Sequence, residues 1–344
     1  MNTPEYVQSL KLENFSLLPN ETFQFSPHLN IIIAENACGK SHLLKLLYTL
    51  LAVTGNEKNA LHKTNLQKIF ADKLLNVFRP DSLGRLVKRQ QGSSRCEVEL
   101  RMNSGSKTSL TFSNHASSQV NIKNFPNEYN ATPAFLPTRE LLTLCPWFIS
   151  LYQTQNIPFD ETWVDTCQLL NVPTLKGVSA QRAQLQLQPL EDAMGDRVVV
   201  DSSGRFYLGK VEAPLVAEGV RKLMMIARLI ANGALLDKGY LFWDEPEANL
   251  NPRFIRVAAE MIFQLSQQNI QVFIATHSLF LLRELEILQD KHKKENDEHI
   301  KMRYFSLTKD KDIIRLQQTD NYDDVESIVA LDESLAQSDR YSQI

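Results

Sequence analysis

Residues 240–252 read Tyr-Leu-Phe-Trp-Asp-Glu-Pro-Glu-Ala-Asn-Leu-Asn-Pro, and residues 272–278 read Val-Phe-Ile-Ala-Thr-His-Ser. Each opens on a short continuous apolar run, the pattern of a strand buried on both faces. The first run delivers Asp244 and Glu245 to its C-terminal end. Unpaired charges at the edge of an apolar core are costly, so two adjacent acids there call for a chemical reason. Asp244 is suited to hold the shell of a Mg²⁺ ion, and Glu245 to polarise an attacking water. The second run, Gln271 to Ala275, brings His277 to the same sheet edge, within reach of a terminal phosphate. Two strand ends are thus expected to converge on one site.

Upstream, apolar and polar residues alternate from Tyr6 to Phe15 and from Glu21 to Phe25, and Leu29 to Ile33 form another buried run, which predicts three strands. Ala34-Glu35-Asn36-Ala37-Cys38-Gly39-Lys40-Ser41-His42 follows, then leucines at 43, 44, 47, 50 and 51 on one helical face. A phosphate-binding loop needs inward main-chain N–H groups, a lysine for the outer phosphates, and a hydroxyl for Mg²⁺ at a helix start whose dipole favours anions. Gly39, Lys40 and Ser41 supply that ending, with Asn36, Ala37, Cys38 and His42 as further contacts of the loop. Ala34 stands where the pattern has its first glycine. A second anion-facing turn is read at Ala217-Glu218-Gly219, leading into a helix rich in Met, Ile and Leu from about Val220.

Between these motifs the spacing predicts a helix over Asn59 to Phe78 and a hairpin of Arg95 to Met102 with Lys107 to Phe112. A short strand from Ala134 stops at Pro137, and a helical stretch from Leu141 to about Leu190 is punctuated by Pro146, Pro158 and Pro173. A second hairpin joins Arg197–Val200 to Phe206–Leu208. After Ser278 come one amphipathic helix, a charged loop from Lys291 to Glu298, a strand pair and an acidic tail.

The net charge of −3 and a pI near 6.2 give no global basic field. Cys38, Cys96, Cys145 and Cys167 lack Cys-x-x-Cys spacing, which argues against a zinc site and fits a reducing, cytoplasmic setting. The N-terminus lacks a basic signal region, and the apolar stretches are too short for a membrane span, so no membrane association is expected. His28, His42 and His292 have no partners at metal-ligand spacing. Arg79, Arg85, Lys88, Arg89 and Arg95 form a basic strip that reads first as a solvated face and second as a phosphate-tracking surface.

Taken together, the order, spacing and wording of these motifs resemble the ABC-type P-loop ATPases of the SMC, RecF and OLD group, with Lys40 and Asp244 204 residues apart. The resemblance implies an α/β P-loop NTPase fold: an ABC ATPase head with an antiparallel β-subdomain and an inserted helical lobe. It divides one ATPase domain into an ATP-binding lobe (1–140), a helical lobe and hairpin (141–213), and a closing segment (214–344). It implies ATP and Mg²⁺ as cofactors. Lys40 and Ser41 belong to Walker A, Asp244 to Walker B, and Glu245 is the general base. Ala248 to Asn251 form the D-loop, with Asn249 a nucleotide-facing residue, and His277 is the switch histidine. Ser41 and Asp244 are the metal ligands. Ala217, Glu218 and Gly219 are the signature motif that faces nucleotide across a homodimer or higher oligomer.

This sequence departs from the group in several places. Its signature serine falls on Ala217, and neither long heptad arms nor an acidic TOPRIM nuclease module is present, 67 residues following His277. No glutamine stands at the expected Q-loop in Phe135-Leu136-Pro137-Thr138-Arg139-Glu140, where Thr138 or Glu140 could instead touch Mg²⁺ or simply make a strand-to-helix turn. The wording of these segments is most similar to stand-alone AAA-type ATPases of bacterial anti-phage systems, which implies a separate protein effector, a nuclease or toxin. The alternative is a DNA-binding repair or chromosome-maintenance head.

Overall fold

The buried runs become neighbouring parallel strands. In the computed structural model, which describes residues 5–56, 63–125, 133–155, 157–236, 239–268, 270–295, 300–311, 313–326 and 328–343, the chain opens with β1 (Val7–Glu13), β2 (Thr22–Gln24), β3 (Leu29–Ala34), α1 (Lys40–Asn56) and α2 (Lys63–Phe78). There follow β4 (Arg95–Met102), β5 (Lys107–Ser113), β6 (Asn121–Asn124), β7 (Pro133–Leu136), α3 (Cys145–Thr154), α4 (Glu161–Leu170) and α5 (Val178–Met194). Next come β8 (Val198–Val200), β9 (Phe206–Leu208), β10 (Val211–Glu212), α6 (Glu218–Ala231), β11 (Tyr240–Asp244) and α7 (Pro252–Ser266). The chain closes with β12 (Gln271–Thr276), α8 (Leu279–Glu295), β13 (Met302–Asp310), β14 (Ile313–Thr319) and α9 (Val329–Ser342).

The principal sheet has the order β14-β13-β3-β12-β11-β7, parallel from β13 through β7, with β14 antiparallel at one edge. Successive strand residues point to opposite faces, and both faces are covered. Leu29, Ile31 and Ile33, Leu241 and Trp243, and Val272 and Ile274 enter a core shared with α3 to α8. Ile32 and Ala34, Tyr240 and Phe242, and Phe273 and Ala275 enter a second core with α1, α2 and an antiparallel sheet of order β2-β1-β4-β5-β6. Two-sided burial explains why these strands read as unbroken apolar runs. On α1, Leu43, Leu44, Leu47, Leu50 and Leu51 are fully buried, each such side chain contributing about 1.5–3 kcal/mol of apolar transfer. Gln271 joins the two sheets by taking both the N–H and C=O of Val7 onto its side-chain amide.

The prolines act as punctuation. Pro146 lies in the first turn of α3, and Asp160 caps α4 by accepting from the Thr162 N–H. Pro189 sits inside α5. The hairpin at 197–208 is a three-stranded sheet, because β10 adds to β9. Three further corrections apply. The loop expected over Lys291 to Glu298 is helical as far as Glu295, with His292, Lys293 and Lys294 complementing the C-terminal dipole of α8; residues 296–299 lie outside the described ones. The acidic tail forms α9, which has no fully buried side chain. Strand β6 escapes sequence reading because only Ile122 in it is buried. The helix expected from Asn59 starts outside the described residues and is α2 from Lys63 onward.

Candidate functional site

Strands β3, β11 and β12 are adjacent and parallel, so Ala34, Asp244 and Thr276 end at one edge of the sheet. From β3 the chain turns through Ala37 and Gly39, both at positive φ (62° and 94°), into α1. Gly39 is required there: a Cβ would meet Leu18 Cδ2 at 2.7 Å, on a backbone that side chains rarely adopt. Lys40 is buried, and its Nζ donates to the carbonyls of Ala34 at 2.7 Å and Glu35 at 2.9 Å, folding the ammonium over its own loop. Asn36, Ala37, Gly39, Lys40, Ser41 and His42 line a cleft of about 220 Å³ together with Leu17, Glu35 and Glu245.

His42 turns its ring away from phosphate chemistry. Nδ1 pairs with Ser16 Oγ at 2.6 Å and the ring stands edge-on to Phe78, while burial lowers its pKa. Its contribution to the loop is therefore its main chain. Cys38 is buried, and desolvation followed by the Glu35 charge raises its pKa, so the thiol is held protonated rather than activated.

Across the cleft, Asp244 is 6% exposed and its Oδ1 has no hydrogen-bond partner. Burial raises its pKa above the ordinary 3.8, a hydrogen bond with Ser41 opposes that, and the neighbouring Glu245 charge adds to it. The hydroxyl of the loop and the acid of the strand thus act on one another across the cleft. A pH dependence follows. Because the folded state holds this proton more tightly than the unfolded chain, the nucleotide- and metal-free protein loses stability as pH rises through the window between 3.8 and the raised value. Asp244→Asn should melt above the parent at neutral pH, with the difference closing as the pH is lowered through that window. Scanning calorimetry across pH checks this, and equal melting at neutral pH would contradict it.

Glu245 follows Asp244 with φ of 47°, its N–H bonded to Ala275 O at 2.9 Å. Its Oε1 lies 3.4 Å from His277 Nδ1, and Glu247 Oε1 lies 3.7 Å from the same nitrogen. Glu247 is a buried acid that motif reading passed over. It accepts from Thr276 Oγ1 at 2.7 Å and from the His277 N–H at 3.3 Å. Two carboxylates facing Nδ1 leave Nε2 of the half-exposed His277 ring for whatever lies beyond. The following loop holds Asn249 at φ 63° and ends in Asn251, which caps α7 by accepting from the Phe254 N–H at 3.0 Å, with Pro252 in the first turn.

Ala217, Glu218 and Gly219 open α6 against this loop within the same chain. Asn249 Nδ2 donates to Glu218 Oε1 at 3.0 Å, and a Cβ on Gly219 would meet the Asn249 carbonyl at 2.4 Å. Gly219 therefore has an intrachain reason to lack a side chain. The next residues were not singled out by sequence reading. Arg221 donates from Nε to Glu140 Oε1 at 2.8 Å and from Nη1 to Val216 O at 2.6 Å. Glu140 also accepts from Thr143 Oγ1 at 2.9 Å, so this carboxylate is engaged by protein donors at the turn into α3. Lys222 is fully buried beside Glu245. In the basic strip, Arg79 and Arg95 bond to Ile157 O and Thr111 Oγ1, while Arg85 and Arg89 are exposed. His28 accepts from the Lys301 N–H, and His292 packs edge-on against Phe263, both structural placements.

Comparison with known proteins agrees with this geometry. Residues 110–283 match the family described as "AAA domain, putative AbiEii toxin, Type IV TA system", and residues 9–157 match a second AAA domain family. The DNA replication and repair protein RecF of Streptococcus thermophilus is 31% identical over 109 residues, 31% of this chain and 26% of that protein. RecF of Francisella tularensis subsp. novicida is 25% identical over 107 residues, 28% of this chain and 29% of that protein. The match thus spans under a third of these relatives. Among solved structures, an SMC head bound to the C-terminal winged-helix domain of ScpA superposes with a TM-score of 0.54 at 12% identity, covering 94% of this chain and 100% of that one. The Pyrococcus furiosus SMC head with an extended coiled coil, bound to the C-terminal domain of ScpA, gives 0.51 at 10% identity, covering 98% and 100%. These likenesses establish the SMC-head form of the P-loop NTPase fold. Among the described residues no helix is long and apolar enough to cross a membrane. With its phosphate loop, paired strand-end acids and a family match over half its length, the chain belongs to the AAA domain family of P-loop ATPases that carries the AbiEii description.

Proposed function

We propose that this chain is a Mg²⁺-dependent ATPase whose nucleotide state switches it between single and paired copies and so controls a separate effector protein, in bacterial anti-phage defence. The observation that carries the reading is Asp244, a buried acid with one oxygen unpaired, under the influence of the Ser41 hydroxyl and next in sequence to Glu245, which lines the cleft with Ser41 and Lys40. An isolated buried carboxylate is costly, and a divalent cation is the partner that fits its remaining oxygen. Mg²⁺ characteristically takes one or two protein ligands and completes its shell with phosphate oxygens and water. Ser41 and Asp244 would supply those ligands, and bound magnesium would offset charge on the phosphates.

This chain's own residues do the rest. The loop N–H groups from Asn36 to His42 and the start of α1 bind anionic oxygens, and Lys40 exchanges its two neutral carbonyl partners for phosphate. Glu245 accepts a proton from the attacking water, while His277 presents Nε2 to the outer phosphate. Ala217 gives α6 no side-chain cap, which leaves the first N–H groups of that helix for an anion brought by a second copy. The domain division into 1–140, 141–213 and 214–344 belongs to the same reading, with the helical lobe as the effector-facing part. The defence role is supported by the AbiEii and type IV toxin–antitoxin wording of the family description. A second reading, a DNA-maintenance head, is favoured by the likeness to RecF.

The test is light scattering and phosphate release on the purified chain with Mg²⁺–ATP, with and without duplex DNA. Nucleotide-dependent doubling of mass with DNA-independent turnover supports the switch. Unchanged mass overturns it. DNA-stimulated turnover that falls on charge reversal at Lys88 and Arg89 selects the second reading.

A further inference from the structure

Helix α6 carries a charge in the middle of an apolar face: Lys222 precedes Leu223, Met224, Met225 and Ile226, and it is as buried as they are, at 1% exposure. Its Nζ donates to the carbonyl of Glu245 at 2.6 Å and to that of Ala248 at 3.4 Å. Among the described residues no carboxylate closes on it directly; burial lowers its pKa to about 8, while Glu247, Glu245, Asp244 and Glu218 oppose that through space. A lysine so placed is a poor choice for packing, since a buried ion is often replaced by a well-fitted apolar side chain with no loss of stability.

What it holds is an uncommon backbone. Glu245 and Asn249 both sit at positive φ, 47° and 63°, and bracket the turn Pro246-Glu247-Ala248. Asparagine enters that region readily, whereas a glutamate persists there only when its surroundings enforce it, so Glu245 is the residue that needs holding. The N–H of Glu245 is fixed by Ala275 O, and its carbonyl accepts both the Ala248 N–H at 3.1 Å and the Lys222 ammonium. The strand fixes one side of this residue and α6 fixes the other. Lys222 lies one helical turn from Gly219, the residue against which the Asn249 carbonyl packs.

We propose that Lys222 is a positioning residue for Glu245: by holding the Glu245 and Ala248 carbonyls from α6, it sets the carboxylate for the attacking water and ties that placement to the attitude of the signature helix. The inference rests on Glu245 being the general base. It gives α6 two duties, an anion-facing end at 217–219 and a hold on the base one turn later, so that engagement of the first can adjust the second.

The test is Lys222→Met in the full chain, with Lys222→Gln as a second variant should the first be insoluble. Three quantities are read: affinity for Mg²⁺–ATP by calorimetry, kcat and KM by phosphate release, and Tm. Affinity and KM are expected within about threefold of the parent and Tm unchanged or higher, because the nucleotide is held by the loop and a buried cation has been removed. Turnover is expected to fall by about 10- to 100-fold, the usual scale for a catalytic group displaced by an ångström. In a Glu245→Gln background the same substitution should cost no more than about twofold further, since residues acting as one unit are non-additive. Parental kcat in Lys222→Met would overturn the proposal, as would losses of affinity, Tm and turnover together, or losses that multiply in the double variant. If Glu245→Gln itself turns over like the parent, the base assignment fails instead, and the two failures are distinguishable.

Discussion

Glu245→Gln is expected to bind nucleotide as the parent does and to hydrolyse it about 10²–10⁴-fold more slowly, the range over which a positioned general base acts. The amide keeps the shape of the carboxylate and cannot accept a proton. It also keeps the main-chain bonds that hold the residue at φ 47°, to Ala275 on one side and to Lys222 and Ala248 on the other. Its contact with His277 Nδ1, 3.4 Å from Oε1 in the parent, can be remade by the amide oxygen. Binding and chemistry should therefore separate, and the variant should accumulate as the nucleotide-bound pair. Single-turnover phosphate release beside calorimetry reads both; turnover at the parental rate would remove Glu245 from the chemistry and leave Glu247 as the acid to test.

Lys40→Ala should have the largest effect on binding. The ammonium is buried at the mouth of α1 and rests on two neutral carbonyls, Ala34 O and Glu35 O. Charge-assisted hydrogen bonds to phosphate contribute about 1.5–3 kcal/mol each, so losing those of one lysine should weaken Mg²⁺–ATP binding on the order of 10²-fold. The fold should persist, since Gly39 and the α1 leucines are untouched. Calorimetric titration of this variant against the parent, with circular dichroism as the check on folding, decides the matter. Parental affinity would place the nucleotide somewhere other than the cleft of Gly39 to His42.

The contrast between these residues and Lys222 shows what a sequence can reveal here. Asp244, Glu245 and His277 were legible because charge at the end of a doubly buried strand breaks an otherwise apolar pattern, and parallel neighbours must end together. Gly39, Lys40 and Ser41 were legible because the loop's demands on backbone and charge fall on consecutive residues. Lys222 breaks its helix's pattern in the same way, yet its partners are carbonyls on a loop whose left-handed entry falls on Glu245, a residue type that does not announce it. The Glu140–Arg221 pair joins positions 81 apart, and no local rule couples them. Glu247 hid in plain view, one acid among three in Asp244 to Glu247, its burial set by Thr276 from another strand. Strand β6 and helix α9 were missed for the opposite reason: each buries too little to leave a periodic trace.

Arg221 and Lys222 are consecutive, and they grip in different directions: one the carboxylate at the threshold of α3, the other the main chain of Glu245. A twist of α6 about its own axis cannot move one without moving the other. With Glu245 as the proposed base, a protein that leaned on the helices beyond Glu140 would in this way have its hand on the throttle of the reaction, and each hydrolytic stroke would be felt back at its point of grip.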